Sequence, residues 1–244
     1  MDASSLASAR RRLWLRGAAD FFFLQNRGYP RDSALEWVGN RYGLNRLERQ
    51  LLGRGVFGQE VALRRKSKKI RGDEWRGQWL VVDGHNVQIT VESAVLERPL
   101  LLANDGALRD LAGLSGSFRV SEASEWAMAA LFRFLDVFRP RRVLFLFDEP
   151  MSRSGWLAAR YRGELARLGL KGEARTAPVP EREIPYERCV AAGSDREVLD
   201  ACSKWLDLAR RVVEFSALPN LSLVDFTPFD YVMASMRSFV SHDD

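Results

Sequence analysis

Cysteine and histidine are scarce: 244 residues contain two of each, Cys189 and Cys202, His85 and His242. No CxxC spacing occurs, so neither a disulfide framework nor a redox motif is expected, and the two cysteines read as buried free thiols in a reducing compartment. A His/Cys zinc site is excluded on the same ground, since four such ligands are not spaced to meet. Long apolar runs are missing too; the stretch AADFFFL falls far short of the roughly 20 residues needed to span a bilayer. The Arg-rich N-terminus is not followed by an apolar segment with a small-residue cleavage site, so no signal peptide is expected. No GxGxxG follows a strong strand and no P-loop pattern occurs, which argues against a nucleotide-binding Rossmann-like protein. The chain reads as soluble and cytoplasmic, without a membrane partner.

What is present is a globular composition, 46% hydrophobic, 28% charged and 11% aromatic. That is enough for one large domain or two unequal ones. The net charge of +5 is unevenly spread. Residues 1–77 hold 17 Lys+Arg against 8 Asp+Glu, a net +9, while the remainder carries a net −4. A clustered basic third points to a polyanion as partner, with a solvated basic face as the plainer alternative.

The N-terminal part is helical by pattern. Residues 4–26 place Leu6, Leu13, Phe21 and Leu24 at roughly helical spacing, and Gly28 with Pro30 ends the run. Ser33 with Glu36 predicts a capping box opening a second helix that closes near Gly43, and Asn45 with Glu48 predicts another opening a third. Two short helices joined by YGLN resemble a helix-turn-helix, decorated by Arg41, Arg46, Arg49 and Arg54. The run RRKSKKIR follows, with Arg64, Arg65, Lys66, Lys68, Lys69 and Arg71. Its like charges repel, so it reads as a linker or a phosphate-contacting strap. The expected layout is therefore a basic helical domain over 1–63, a linker over 64–77 and an α/β domain over 78–244.

The α/β expectation rests on WLVV (79–82) and VLFLF (143–147), continuous apolar runs of the kind buried on both faces of a parallel sheet. Between them, residues 121–138 predict a helix capped by Ser121, with Trp126, Ala130, Phe134 and Phe138 along one side. A further helix is expected at about 155–168. Weaker strands are ARTAPV (174–179), RCVAA (188–192) and LSLVDF (221–226). Ser194 with Glu197 predicts a capping box and a helix to about Arg210.

Ligands gather at the carboxyl ends of parallel strands. There the chain offers Asp83 in VVDGHNV, Asp148 with Glu149 in FLFDEP, and Asp195 after RCVAA. Converging carboxylates repel unless a cation neutralises them, and a hard divalent ion takes oxygen ligands while keeping waters for a phosphate. Each aspartate also has a plainer reading as a turn or N-cap residue. Asn86 can hydrogen-bond a phosphate, fix a carboxylate or satisfy its own turn. Asp200 falls off the Asp195 face, Asp225 is an outer ligand at most, and Glu181, Glu183 and Glu187 stand as alternatives for a fourth acid.

These motifs carry a resemblance. VVDGHNV resembles the first strand of the NYN branch of the PIN-like nucleases, which ends in Asp-Gly-x-Asn. FLFDEP resembles their second strand, and VAAGSDREVLDA resembles their fourth, where a hydroxyl residue and an Asp precede a helix. The likeness covers about residues 78–226. It implies a Rossmann-like PIN-type parallel sheet flanked by helices, with strand order 3-2-1-4-5. It also implies metal-dependent endoribonuclease activity with Mg²⁺ or Mn²⁺ on Asp83, Asp148 and Asp195, and Asn86 beside them. RNA is preferred to DNA on the resemblance alone. Members of that group place another acid on the helix before the fourth strand, where this chain has EREIPYE. The N-terminal part resembles the helical domain of uncharacterised archaeal proteins. The alternative reading is a catalytically silent PIN-like scaffold that binds RNA or DNA. The sequence leaves the oligomeric state open, a homodimer included.

Overall fold

The computed structural model describes residues 3–111, 121–218 and 220–227. The chain divides into two compact units. One holds the described residues up to Lys66, then Leu101–Gly106 and those from Val224 on; the other holds Ser67–Leu100 and Ala107–Leu223. The end of the expected 78–244 domain lies outside the described residues. Among the described residues no helix is long and apolar enough to cross a membrane.

The first unit is mainly helical, with α1 (Ala3–Asn26), α2 (Arg31–Arg41), α3 (Arg46–Gly55) and most of α4 (Gln59–Lys68). Its core gathers Ala18, Phe21, Val38, Leu44, Leu52 and Phe57. The Asn45–Glu48 capping box is present: Asn45 Oδ1 accepts the Glu48 N–H at 3.0 Å and Glu48 Oε2 accepts the Asn45 N–H at 2.8 Å. The Ser33–Glu36 box is not. Helix α2 begins earlier, behind Pro30 at φ −55°, and Ser33 lies within its first turn. Proline there presets the backbone for helix entry without a side-chain cap. Arg31 donates to the Val56 carbonyl at 2.8 Å and to that of Gly53 at 2.5 Å, with its guanidinium over the Phe57 ring.

The basic run is not the expected linker. It is helical through Lys68, and Ile70 N–H then donates to the Trp205 carbonyl at 2.8 Å. Its charges find partners instead of repelling freely. Arg65 pairs with Asp105 at 2.9 Å, their side chains 2% and 0% exposed, and Lys69 pairs with Asp207 at 2.9 Å while lying over the Trp205 ring. Arg65 therefore faces the protein core rather than a phosphate.

The second unit is α/β. Strands β1 (Trp79–Asp83), β4 (Arg142–Asp148), β5 (Gly172–Ala177), β6 (Val190–Ala192) and β7 (Trp205–Leu206) form one parallel sheet in the order β5-β4-β1-β6-β7. Numbered along the chain within this sheet, that order is 3-2-1-4-5. The reversal of direction after β1 makes it Rossmann-like, with the switch point beside Asp83. Three short strands, β2 (Leu100–Leu102), β3 (Leu108–Asp110) and β8 (Leu223–Asp225), occur where the chain passes between the units.

Both faces of the sheet are covered, which explains the continuous apolar runs. Alternation splits them. Leu80, Val82, Phe145 and Phe147 pack under α5 (Gly84–Val95), α6 (Glu122–Phe138), α7 (Ser154–Arg167) and α10 (Leu208–Phe215). Val81, Leu144 and Leu146 face Ile184, near α8 (Pro180–Glu183), and Val198 and Leu199 of α9 (Arg196–Ala201). Ser121 caps α6 as expected, its Oγ accepting the Ser124 N–H. The single helix expected from Ser194 to Arg210 is instead α9, β7 and α10. The chain turns at Cys202 because Trp205 and Leu206 are buried as a strand beside β6. Two residues are too few to show strand periodicity in the sequence.

Candidate metal centre

Asp83 ends β1 and caps α5 at once: its Oδ1 accepts the Asn86 N–H at 3.1 Å. This tight strand-to-helix turn needs Gly84, because a Cβ there would stand 2.4 Å from the Phe147 ring. Gly193 plays the matching part just after β6, where an added Cβ would lie 3.1 Å from the Asp83 Cβ. Two glycines thus let the ends of β1 and β6 close around one carboxylate. Helix α5 is in turn fixed by Gln88, which donates to the Ser124 carbonyl at 2.8 Å and accepts from the Tyr161 hydroxyl.

Asp83, Glu181 and Asp195 each present a carboxylate oxygen, and these oxygens all lie within 4.8 Å of one another. Asp83 is buried, while Asp195 and Glu181 are half-buried. Such a cluster can hold a metal ion. The donors are all carboxylate oxygens, which suits a hard divalent cation better than zinc or copper.

Asn86 ties the two strand ends together. Its Oδ1 accepts from the Ser194 N–H at 2.9 Å and hydroxyl at 3.0 Å, and its Nδ2 donates to Asp195 Oδ1 at 3.3 Å. Of its sequence readings, fixing a carboxylate is the one the geometry supports. Ser194 does not cap α9, as expected from its spacing to Glu197; Asp195 occupies that position and Ser194 serves Asn86 instead.

Asp148 stands outside the set of three. In the sheet Asp83 lies opposite Leu146, so Asp148 projects two residues further along β4. Its backbone N–H donates to His85 Nδ1 at 3.0 Å, and its Oδ2 is 3.2 Å from the same nitrogen. Its charge still reaches the cluster. Burial above all, then the charges of Asp195, Asp148 and Glu181, push Asp83 well above the usual aspartate range, against the Asn86 N–H. Burial likewise raises Glu181, helped by Asp148, Asp195 and Glu197.

Glu181 is the fourth acid that the sequence left among three. It sits on the one-turn helix α8, where the Tyr186 hydroxyl donates to its carbonyl at 2.8 Å. Glu183 is taken by Arg175, and Glu187 is no part of the cluster. Pro180 at the start of α8 was the only local signal, marking a helix start where the chain had read as a loop. Asp200 is exposed, as expected. Asp225 belongs to the first unit, and its Oδ1 accepts from the Thr227 N–H and hydroxyl at 2.7 Å.

Of the basic side chains, Arg41, Arg46, Arg64 and Arg71 are exposed, and Arg49, Arg54, Lys66, Lys68 and Lys69 are half-buried. Arg49 donates to the Leu44 carbonyl and to Asn40 Oδ1, both at 2.9 Å, and Lys68 to the Asp200 carbonyl at 2.9 Å.

A pH signature follows from Asp83. Its folded-state pKa lies above the unfolded value near 3.8, so its contribution is complete at low pH and is lost as pH rises through the interval between the two. In chelator, the melting temperature of Asp83→Asn is expected to exceed that of the wild type by a margin that widens as pH rises above the ordinary aspartate range. Thermal denaturation followed by circular dichroism measures it; a margin that shrinks with rising pH would refute the crowded-carboxylate description.

The fold and site define a class: an α/β protein with a carboxylate cluster at the switch point of a parallel sheet, in a chain that begins with a helical basic unit. Residues 72–211 match the model of a domain of unknown function, DUF5616, and the chain belongs to that family. Residues 15–68 match a second model, a protein of unknown function, DUF434. An uncharacterized protein of the archaeon Methanocaldococcus jannaschii is 29% identical over 199 residues, covering 80% of this chain and 94% of that protein. No solved structure matches the chain.

Proposed function

We propose that this protein is a metal-dependent endoribonuclease of the PIN-like, NYN type, hydrolysing RNA phosphodiester bonds with Mg²⁺ or Mn²⁺. The observation that carries the reading is the set Asp83, Glu181 and Asp195, with oxygens within 4.8 Å of one another at the switch point of the sheet. Those three residues would hold the ion, with Asp148 beside them. When bound, such an ion supplies Lewis-acid polarisation of a phosphoryl oxygen and a more acidic water. Asn86 keeps Asp195 turned toward the site, and the Asp83 cap keeps that carboxylate from rotating away. The basic N-terminal unit would hold the RNA backbone through exposed arginines such as Arg41 and Arg46, a contribution that weakens as salt rises.

Incubating structured and single-stranded RNAs with the protein and Mn²⁺ is the direct trial. Cleavage that is abolished by chelator and reduced about 100-fold or more in Glu181→Gln is the expected result. Salt-dependent RNA binding without turnover in Mg²⁺ or Mn²⁺ would replace this reading with that of a silent scaffold.

A further inference from the structure

The loop leaving β4 and the first turn of α7 carry two groups that the carboxylate site does not use. Residues 149–153 join Asp148 to α7 through consecutive tight turns: the Met151 N–H donates to the Asp148 carbonyl at 3.1 Å, and the Ser154 N–H to the Met151 carbonyl at 3.3 Å. The Ser154 hydroxyl reaches the Glu149 carbonyl at 3.3 Å, and the Glu149 N–H is held by Ala177 of β5 at 2.9 Å. Within this pinned loop Arg153 sits at φ +62°, ψ 19°. That left-handed conformation is unfavourable for an L-residue, and glycine avoids its cost. Arg153 is exposed and makes no ion pair or side-chain hydrogen bond among the described residues. Strained non-glycine residues held by surrounding hydrogen bonds are enriched at functional sites, although Glu97, Arg139 and Ala217 also have positive φ in this chain.

Three residues on, Trp156 is 41% exposed in the first turn of α7. The surface beside it is open, since a Cβ on Gly155 would meet nothing within 4 Å. The Arg160 guanidinium lies 5.6 Å from the Trp156 ring centroid and is paired with Glu125. An exposed cation and an exposed indole thus follow Asp148 by five and eight residues. Their loop emerges at the carboxyl edge of the sheet, on the strand next to β1.

We infer that Arg153 and Trp156 form a subsite for an unpaired nucleic-acid strand, with a backbone phosphate on the arginine and a base stacked on the indole. This rests on the nuclease reading and narrows its substrate to single-stranded RNA. A duplex keeps its bases stacked on one another and offers none to the tryptophan. Asp148 and Glu149 precede this loop and repel a phosphate, a repulsion that the Arg153 cation offsets.

The test is fluorescence anisotropy in chelator, where no turnover occurs, with a labelled single-stranded 12-nucleotide RNA and the same RNA in a duplex. Trp156→Leu is expected to weaken single-strand binding about ten-fold, leaving the salt dependence and duplex affinity unchanged. Arg153→Gly is expected to reduce the slope of log affinity against log salt by about 0.7 for the single strand. Its melting temperature stays within about 2 °C of wild type, because relief of the left-handed strain offsets the chain entropy of glycine. Wild-type single-strand affinity in both variants, equal losses on duplex and single strand, or a wild type that does not bind the single strand would each overturn the subsite. Absence of cleavage in Mn²⁺ would instead remove the nuclease reading, and the affinities would still report on the subsite.

Discussion

Substituting Asp83 by Asn is expected to lower RNA cleavage at saturating Mn²⁺ by about 1,000-fold, roughly 4 kcal/mol of transition-state stabilisation. The same change is expected to raise the melting temperature of the metal-free protein by a few degrees and to abolish its increase on adding Mn²⁺. The two effects have one cause. A buried carboxylate facing Asp195, Asp148 and Glu181 is costly without a cation, and neutralising it removes repulsion together with a ligand. Asparagine caps a helix about as well as aspartate, so the turn into α5 survives. A variant that had merely misfolded would lose stability along with activity. Single-turnover cleavage with thermal melts in chelator and in Mn²⁺ separates these outcomes. Undiminished cleavage would remove Asp83 from the catalytic set.

Arg65→Ala is expected to cost about 3–5 kcal/mol, because it removes the guanidinium paired with the buried Asp105 carboxylate. It also removes a guanidinium lying 4.4 Å from the centre of the Phe57 ring. The double substitution Arg65→Met with Asp105→Leu is expected to recover most of that loss, since apolar groups of similar volume replace a buried ion pair at little cost. Denaturant unfolding of the three variants measures both quantities. If Arg65 were a phosphate contact instead, Arg65→Ala would weaken RNA binding and leave stability within about 0.5 kcal/mol of wild type. The comparison therefore decides between the structural role and the one its place in RRKSKKIR had indicated.

That arginine shows where reading the sequence stops. Charge clustering marked residues 64–71 as basic, which they are, but whether a guanidinium faces solvent depends on what lies across from it. Asp105 is 40 positions away. The same holds for the acids. Asp83 and Asp148 were legible because each closes a continuous apolar run, a pattern written in five or six adjacent residues. Glu181 was not, because three glutamates share a short loop and only the folded path of α8 turns one of them inward.

By itself, the sequence determined the first three helices, the Asn45 cap, the two central strands and the acids at their ends. All of these follow from spacing and composition within one or two turns of chain. Tertiary structure decided the rest. It replaced a long helix with α9, β7 and α10, buried Arg65, assigned Ser194 to Asn86 and chose Glu181. Asn86 and Asp195 meet across 109 positions because β1 and β6 pair in register, so that Val82 lies beside Ala192. Register is set by the packing of both sheet faces together, a constraint that no local stretch of residues contains.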